Sequence, residues 1–212
     1  MFLTFFREFF NTIKRKTPQN RDILKIFHYL CMVMKRIILI TGGQRSGKSR
    51  YAEELALSLS GQPVYIATAH VWDEEFGQRV RKHQERRGPC WTNIEEERLL
   101  SRHDVGGRVV VIDCITLWCT NYFLPDDTGR TPGVDETLKA LREEFDRFTQ
   151  QDATFIFVTN EIGSGGVSPN AVQRRFTDLQ GWMNQYVAAK ADEVVLMVSG
   201  IPVTVKKEGK KE

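Results

Sequence analysis

Apolar residues along this chain come in two alternating spacings. Short unbroken runs, beginning with Ile37-Ile38-Leu39-Ile40 inside the segment Arg36 to Thr41, have the pattern of parallel strands covered on both faces, where every side chain must be apolar. Four more such segments follow: Val64 to Thr68, Val109 to Asp113, Phe155 to Thr159 and Val194 to Val198. Between them the apolar positions spread to the spacing of a helix with one buried face. Tyr51, Leu55 and Leu59 predict a helix from about Lys48; Val134, Leu138, Leu141, Phe145 and Phe148 predict another; Val172, Phe176, Leu179, Met183 and Tyr186 predict a further one. Asp73 to Arg87 also reads as a helix, with Asp73, Glu74 and Glu75 in its first turn, Arg79, Arg81 and Lys82 later, and Phe76, Val80 and His83 on one face. Ser199-Gly200-Ile201-Pro202 reads as a turn into a short last strand, Val203 to Val205. Strands alternating with helices predict an α/β fold, a mostly parallel sheet with helices on both faces and a short C-terminal antiparallel strand.

The first 33 residues depart from this pattern. Phe2, Phe5, Phe6, Phe9, Phe10 and Ile13 recur at helical spacing ahead of Lys14-Arg15-Lys16, a combination that suits a membrane surface. Composition and charge change abruptly at Met34, which favours translation starting there over a membrane role. A folded domain is therefore expected over residues 34–206, with 1–33 as an amphipathic basic extension and 207–212 as a charged tail.

Charge sharpens that division. The whole chain of 212 residues has 30 basic and 27 acidic side chains, a formal net charge of +3. Residues 1–33 hold six of the basic and two of the acidic ones, which leaves 24 against 25 for the remainder. A body with no basic excess cannot neutralise a phosphate backbone, so no nucleic-acid partner is expected. The cysteines, Cys31, Cys90, Cys114 and Cys119, form no C-x-x-C pair and share no metal-ligand spacing with the histidines. With no signal-peptide pattern either, a cytoplasmic location is expected.

The most specific motif is Gly42-Gly43-Gln44-Arg45-Ser46-Gly47-Lys48-Ser49. It matches G-x-x-x-x-G-K-[ST] and stands between a predicted buried strand and a predicted amphipathic helix, the context in which such a loop cradles phosphates. Its glycines let successive N–H groups converge on phosphate oxygens, and the helix adds its positive N-terminal end. Lys48 would bridge the β- and γ-phosphates, and the Ser49 hydroxyl would join a Mg²⁺ shell. The bland alternative is a Gly-rich turn with no ligand. Asp113, ending an apolar run on what is expected to be a neighbouring strand, is the candidate acidic residue of that shell; its alternative is an N-cap for a helix over Cys114 to Tyr122. On spacing alone His83 reads as a packed core histidine.

Taken in order, these pieces resemble the adenosylcobinamide kinase / adenosylcobinamide-phosphate guanylyltransferase family, a bifunctional enzyme of cobalamin biosynthesis, from about Lys35 to Lys206. The resemblance is carried by Thr41 to Ser49 with Arg45 inside the loop, Tyr65-Ile66-Ala67-Thr68, His83 with Arg87 and Trp91, Asp113-Cys114-Ile115-Thr116-Leu117-Trp118 with Asn121, and Thr159-Asn160-Glu161-Ile162-Gly163. Arg174-x-Phe176-x-Asp178-x-x-Gly181-x-x-Asn184-Gln185, then Ala191-Asp192-Glu193 and Val198-Ser199-Gly200, complete it.

The resemblance implies a P-loop NTPase fold of the RecA-like kind. It further implies GTP and ATP as substrates with Mg²⁺, adenosylcobinamide and its phosphate as acceptors, and a homo-oligomer, a trimer. It identifies His83 with the histidine that accepts GMP. The nucleotide contacts fall on Gly42, Gly43, Gln44, Arg45, Ser46, Gly47, Lys48 and Ser49, on Ala67, Thr68 and Ala69, on Gln84, Glu85, Arg86 and Arg87, and on Glu95 and Asp113. Gln84 stands where a lysine often follows that histidine, which leaves its phosphate contact to Arg86 or Arg87. Pro169 lies one place later than in relatives with V-P-E-N, and residues 1–33 have no counterpart. Two other classes fit the bare P-loop: a small-molecule kinase of another pathway, in which His83 is only packed, and a GTP-dependent switch anchored through the Phe-rich segment.

Overall fold

The protein is described by a computed structural model covering residues 35–70, 74, 77–78, 87–125 and 129–207. In chain order the elements are β1 (Arg36–Gly42), α1 (Lys48–Leu59), β2 (Val64–Ala67), β3 (Thr92–Glu95), β4 (Val109–Asp113), α2 (Ile115–Phe123), α3 (Val134–Phe148), β5 (Thr154–Val158), α4 (Ala171–Lys190), β6 (Glu193–Val198) and β7 (Ile201–Lys207). The strands form one seven-stranded sheet in the order β3-β2-β4-β5-β1-β6-β7. Every pairing is parallel except β6 with β7.

The unbroken apolar runs are explained by two layers of core. On β1, Ile37 and Leu39 face one cluster with α2, α3 and α4, which contribute Trp118, Leu141, Phe145 and Met183. Ile38 and Ile40 face a second, smaller cluster built on Ala52 and Ala56 of α1, together with Trp91. Because side chains alternate across a strand, both sets must be apolar once helices cover both faces.

Several expectations need correction. Thr92–Glu95 is a strand that the hydrophobic pattern does not reveal: it is an edge strand, three of its four residues are exposed, and backbone pairing with β2 alone places it. The helix after the loop buries Ala52 and Ala56, while Tyr51, Leu55 and Leu59 flank them half-buried. Small residues let that helix lie close to the sheet, so the large ones are displaced to its sides. Val172, expected on the buried stripe of α4, is 51% exposed. The last strand starts at Ile201 and runs to Lys207, and only Ser199 and Gly200, both at positive φ, make the turn. Pro202 is tolerated because β7 is an edge, where its missing N–H leaves no ladder gap. Of the helix expected over Asp73 to Arg87, Glu74, Gly77 and Gln78 are helical, and Arg87 lies beyond it in a bend. The shared face of Phe76, Val80 and His83 lies outside the described residues, as do 1–34. No helix among the described residues is long and apolar enough to cross a membrane.

Candidate active site

Register brings the predicted residues to one edge. Glu95, Ala67, Asp113, Val158 and Ile40 are successive partners across five strands, so the residues that follow them leave the sheet side by side at its carboxyl edge. Crevices at this edge are where open parallel sheets hold ligands. The loop after β1, Ala67 at the end of β2 with Ala69 beyond it, Glu95 at the end of β3 and Asp113 at the end of β4 all sit there. Asp113 is not on the strand next to β1, as the sequence suggested; β5 is inserted between them.

The loop from Gly42 to Ser49 is a tight backbone cradle. Gly42 has φ +148°, and a Cβ there would meet the Met197 carbonyl oxygen at 2.6 Å, so no other residue fits. Arg45 at the apex (φ 58°) and Gly47 (φ 95°) also lie at positive φ. Gly200 N–H donates to the Ser46 carbonyl at 3.0 Å, and the β6–β7 turn thereby buttresses the loop. Gly47 is the N-cap of α1 and has no side chain to cap it, so no side chain occupies the first-turn N–H groups that a phosphate would use. Lys48 folds back across the loop: its Nζ donates to the Gly43 carbonyl at 2.6 Å and to Ser46 Oγ at 3.4 Å. Burial lowers its pKa, opposed by the carboxylates of Asp113 and Glu161. Gly43, Gln44 and Arg45 are exposed, and Ser49 is half-buried.

Asp113 is held from the sheet side. Tyr65 Oη donates to its Oδ2 at 2.7 Å, and burial together with that carboxylate raises the tyrosine well above its ordinary pKa, so it remains a donor. Arg87 lies flat on the same ring, its Cζ 3.6 Å from the centroid, while its Nε donates to Asn93 Oδ1 at 2.7 Å. One terminal nitrogen, Nη1, is buried with no hydrogen-bond partner among the described residues. Tyr65 thus joins two residues predicted separately. The N-cap alternative for Asp113 is overturned, since the N-cap of α2 is Cys114, with no side-chain cap. Thr68 is fully buried, and its hydroxyl accepts from Cys114 N–H and donates to Cys114 C=O, both at 2.8 Å. Its side chain holds the turn that presents Asp113. Burial pushes the Cys114 thiol up to about 12, which leaves it protonated.

The strand between β1 and β4 ends in a polar group to which no role had been given. Gln180 Nε2 donates to Thr116 Oγ1, Thr159 Oγ1 and the Asn160 carbonyl, and Thr159 Oγ1 donates to Asn184 Oδ1 at 2.7 Å. Asn184 Nδ2 and Thr41 Oγ1 both donate to Glu161 Oε1, and Glu161 N–H donates to the Gly42 carbonyl at 3.1 Å. The signal that singled out Asp113 was present here too: an apolar run that ends in Thr-Asn-Glu.

Ser49 and Asp113 are hard oxygen donors of the kind Mg²⁺ takes beside phosphate and water. Among the described residues no cluster of three or more His, Cys, Asp or Glu could hold a metal by itself. His83, Gln84, Glu85 and Arg86 lie outside the described residues. Ala69 is half-buried and Glu95 exposed.

The mostly parallel sheet, with the G-x-x-x-x-G-K-S loop at the end of β1 and Asp113 at the end of β4 with β5 between them, has the architecture of a P-loop NTPase fold. Residues 38–205 match the model of the cobinamide kinase / cobinamide phosphate guanyltransferase family, and the chain belongs to that family. It is 39% identical over 174 residues to a bifunctional adenosylcobalamin biosynthesis protein, CobP, of Pseudomonas aeruginosa, covering 80% of this chain and 97% of the relative. The corresponding CobU protein of Escherichia coli is 35% identical over 181 residues, with 80% of this chain and 99% of the relative covered. Among solved structures, the flagellar accessory protein FlaH of Methanocaldococcus jannaschii aligns with a TM-score of 0.43 and 16% identity, over 92% of this chain and 89% of that one.

Proposed function

We propose that this protein phosphorylates adenosylcobinamide with ATP or GTP and then transfers GMP from GTP to adenosylcobinamide phosphate, both reactions using one P-loop. The observation that carries the reading is the buried ammonium of Lys48 folded across a glycine-rich loop at the carboxyl edge of the sheet, ahead of a helix with no side-chain N-cap, in a chain of this family. In the kinase reaction the loop N–H groups and Lys48 stabilise the charge that develops as the hydroxyl of the aminopropanol arm attacks the γ-phosphate. In the second reaction neutral His83 attacks the α-phosphate of GTP, pyrophosphate leaves, and the resulting GMP-histidine is attacked by the phosphate of adenosylcobinamide phosphate. An unperturbed imidazole, with a pKa of about 6.5, is mostly neutral at pH 7 and suits that task. Ser49 and Asp113 would hold Mg²⁺, which offsets phosphate charge when bound. The unpaired Nη1 of Arg87 is a buried donor that a phosphate oxygen would satisfy, which supports its place among the nucleotide contacts. The homo-oligomer, a trimer, is carried by the resemblance and is read directly by light scattering of the purified protein.

The test is covalent labelling. Incubation with GTP and Mg²⁺ should leave a GMP-mass adduct on the peptide containing His83, labile to acid and stable to alkali, as a phosphoramidate is. His83→Ala should lose the adduct and guanylyl transfer while still phosphorylating adenosylcobinamide, because γ-phosphoryl transfer has no use for that imidazole. A folded His83→Ala protein with intact guanylyl transfer sinks the assignment. Phosphorylation of some other small molecule, with no adduct, would make the chain a kinase of another pathway.

A further inference from the structure

We propose that Glu161 is the general base of the phosphoryl-transfer reaction, a role that rests on the kinase reading above. Its place in the fold is the first argument. Glu161 follows β5, the strand between the loop on β1 and the metal-shell candidate Asp113 on β4, and its N–H is tied to the carbonyl of Gly42, the first loop residue. A γ-phosphate held between Lys48 and a metal shell at Asp113 would therefore have this carboxylate on its flank.

How the carboxylate is held is the second argument. Oε1 accepts from Thr41 Oγ1 and Asn184 Nδ2, and Asn184 is itself locked by the fully buried Thr159. Oε2 has no hydrogen-bond partner among the described residues. One oxygen is thus fixed by two donors while the other is left for a ligand. Electrostatics supplies a third. Glu161 has no ion-pair partner within contact distance among the described residues, yet its carboxylate acts on the Lys48 ammonium from further off, so it stands on the side of the loop where a γ-phosphate would lie.

The step balances. The substrate hydroxyl gives its proton to Glu161 Oε2 as its oxygen forms the bond to Pγ. The bond from Pγ to the β,γ-bridging oxygen breaks, and the nucleoside diphosphate leaves on the loop amides and Lys48. Glu161 then releases the proton to water. Attack of neutral His83 on the α-phosphate needs no such base, so the two reactions should separate.

The experiment is Glu161→Gln, whose amide oxygen can still accept from Thr41 but cannot take the proton. Adenosylcobinamide phosphorylation should lose about 10²–10⁴-fold in kcat with the nucleotide KM unchanged, while GMP-adduct formation from GTP stays within a few-fold of wild type. That adduct also reports the fold. Unchanged phosphorylation overturns the proposal, and so does parallel loss of both reactions in a folded protein, which would make Glu161 a support of the loop or of the metal shell. If Glu161→Gln does not fold, Glu161→Asp keeps the charge but withdraws the oxygen by one methylene. Selective loss of phosphorylation there supports the base, and equal loss or no loss overturns it. Wild-type protein that forms the adduct but does not phosphorylate adenosylcobinamide would unseat the kinase reading itself, and the base with it.

Discussion

Lys48, proposed above to hold phosphate, illustrates how such a residue can work against the stability of its own domain. Its ammonium is buried and its pKa lowered by desolvation, so in the nucleotide-free protein the charged form is less well solvated than in the unfolded chain. The sign follows from linkage: the folded-state pKa lies below the unfolded one, near 10.4, so the cost is present in full below the folded pKa and fades as pH rises through the unfolded value. Lys48→Met should therefore leave the melting temperature of the nucleotide-free protein unchanged or higher at pH 7. It should lower both reactions by at least about 10²-fold, the scale of losing one such donor. Calorimetry of the two proteins without nucleotide, beside the two assays, checks this; a Tm several degrees lower would mean that Lys48 supports the loop. Neighbouring residues differ in legibility. The motif singled out Lys48, but nothing in the spacing of Tyr65, Arg87 and Asp113 shows that one ring hydroxyl and one stacked guanidinium join them.

The β4–α2 turn shows the same limit at the level of elements. Thr68 at the end of β2 satisfies both polar backbone groups of Cys114 from a fully buried hydroxyl. Thr68→Val keeps the shape but strands both groups, so we expect a loss of about 1–3 kcal/mol, read as a fall of a few degrees in Tm. Nucleotide affinity should fall as well, since the turn presents Asp113; full affinity in a destabilised protein would separate the turn from the site. Elsewhere a close approach, and not side-chain size, decided which face is buried. Ala52 and Ala56 sit fully buried against the sheet, and replacing either by Leu should cost about 1–3 kcal/mol through overpacking, measurable by denaturant unfolding. Strand β3 escaped the hydrophobic pattern because an exposed edge strand needs no apolar side chains.

At the level of the whole molecule, deleting residues 1–33 should leave phosphorylation and Tm nearly unchanged, because the apolar core pattern begins after them and β1 starts at Arg36. A large loss of either would show that the Phe-rich segment packs on the domain. The sequence by itself determined the parallel α/β class, all five long apolar strands to within a residue at each end, and the glycine-rich loop after the first of them. Local physics suffices for these: a strand covered on both faces must be apolar throughout, and a loop that wraps phosphate must have glycine where a Cβ would collide. The order of the strands, the insertion of β5 between the loop and Asp113, the clamp of Tyr65 and the network that holds Glu161 were decided only in the tertiary structure. Each joins residues far apart in the chain, such as Thr41 with Glu161 and Tyr65 with Asp113, and such contacts leave no periodic trace because it is the register between strands, not spacing along any one of them, that brings the partners together.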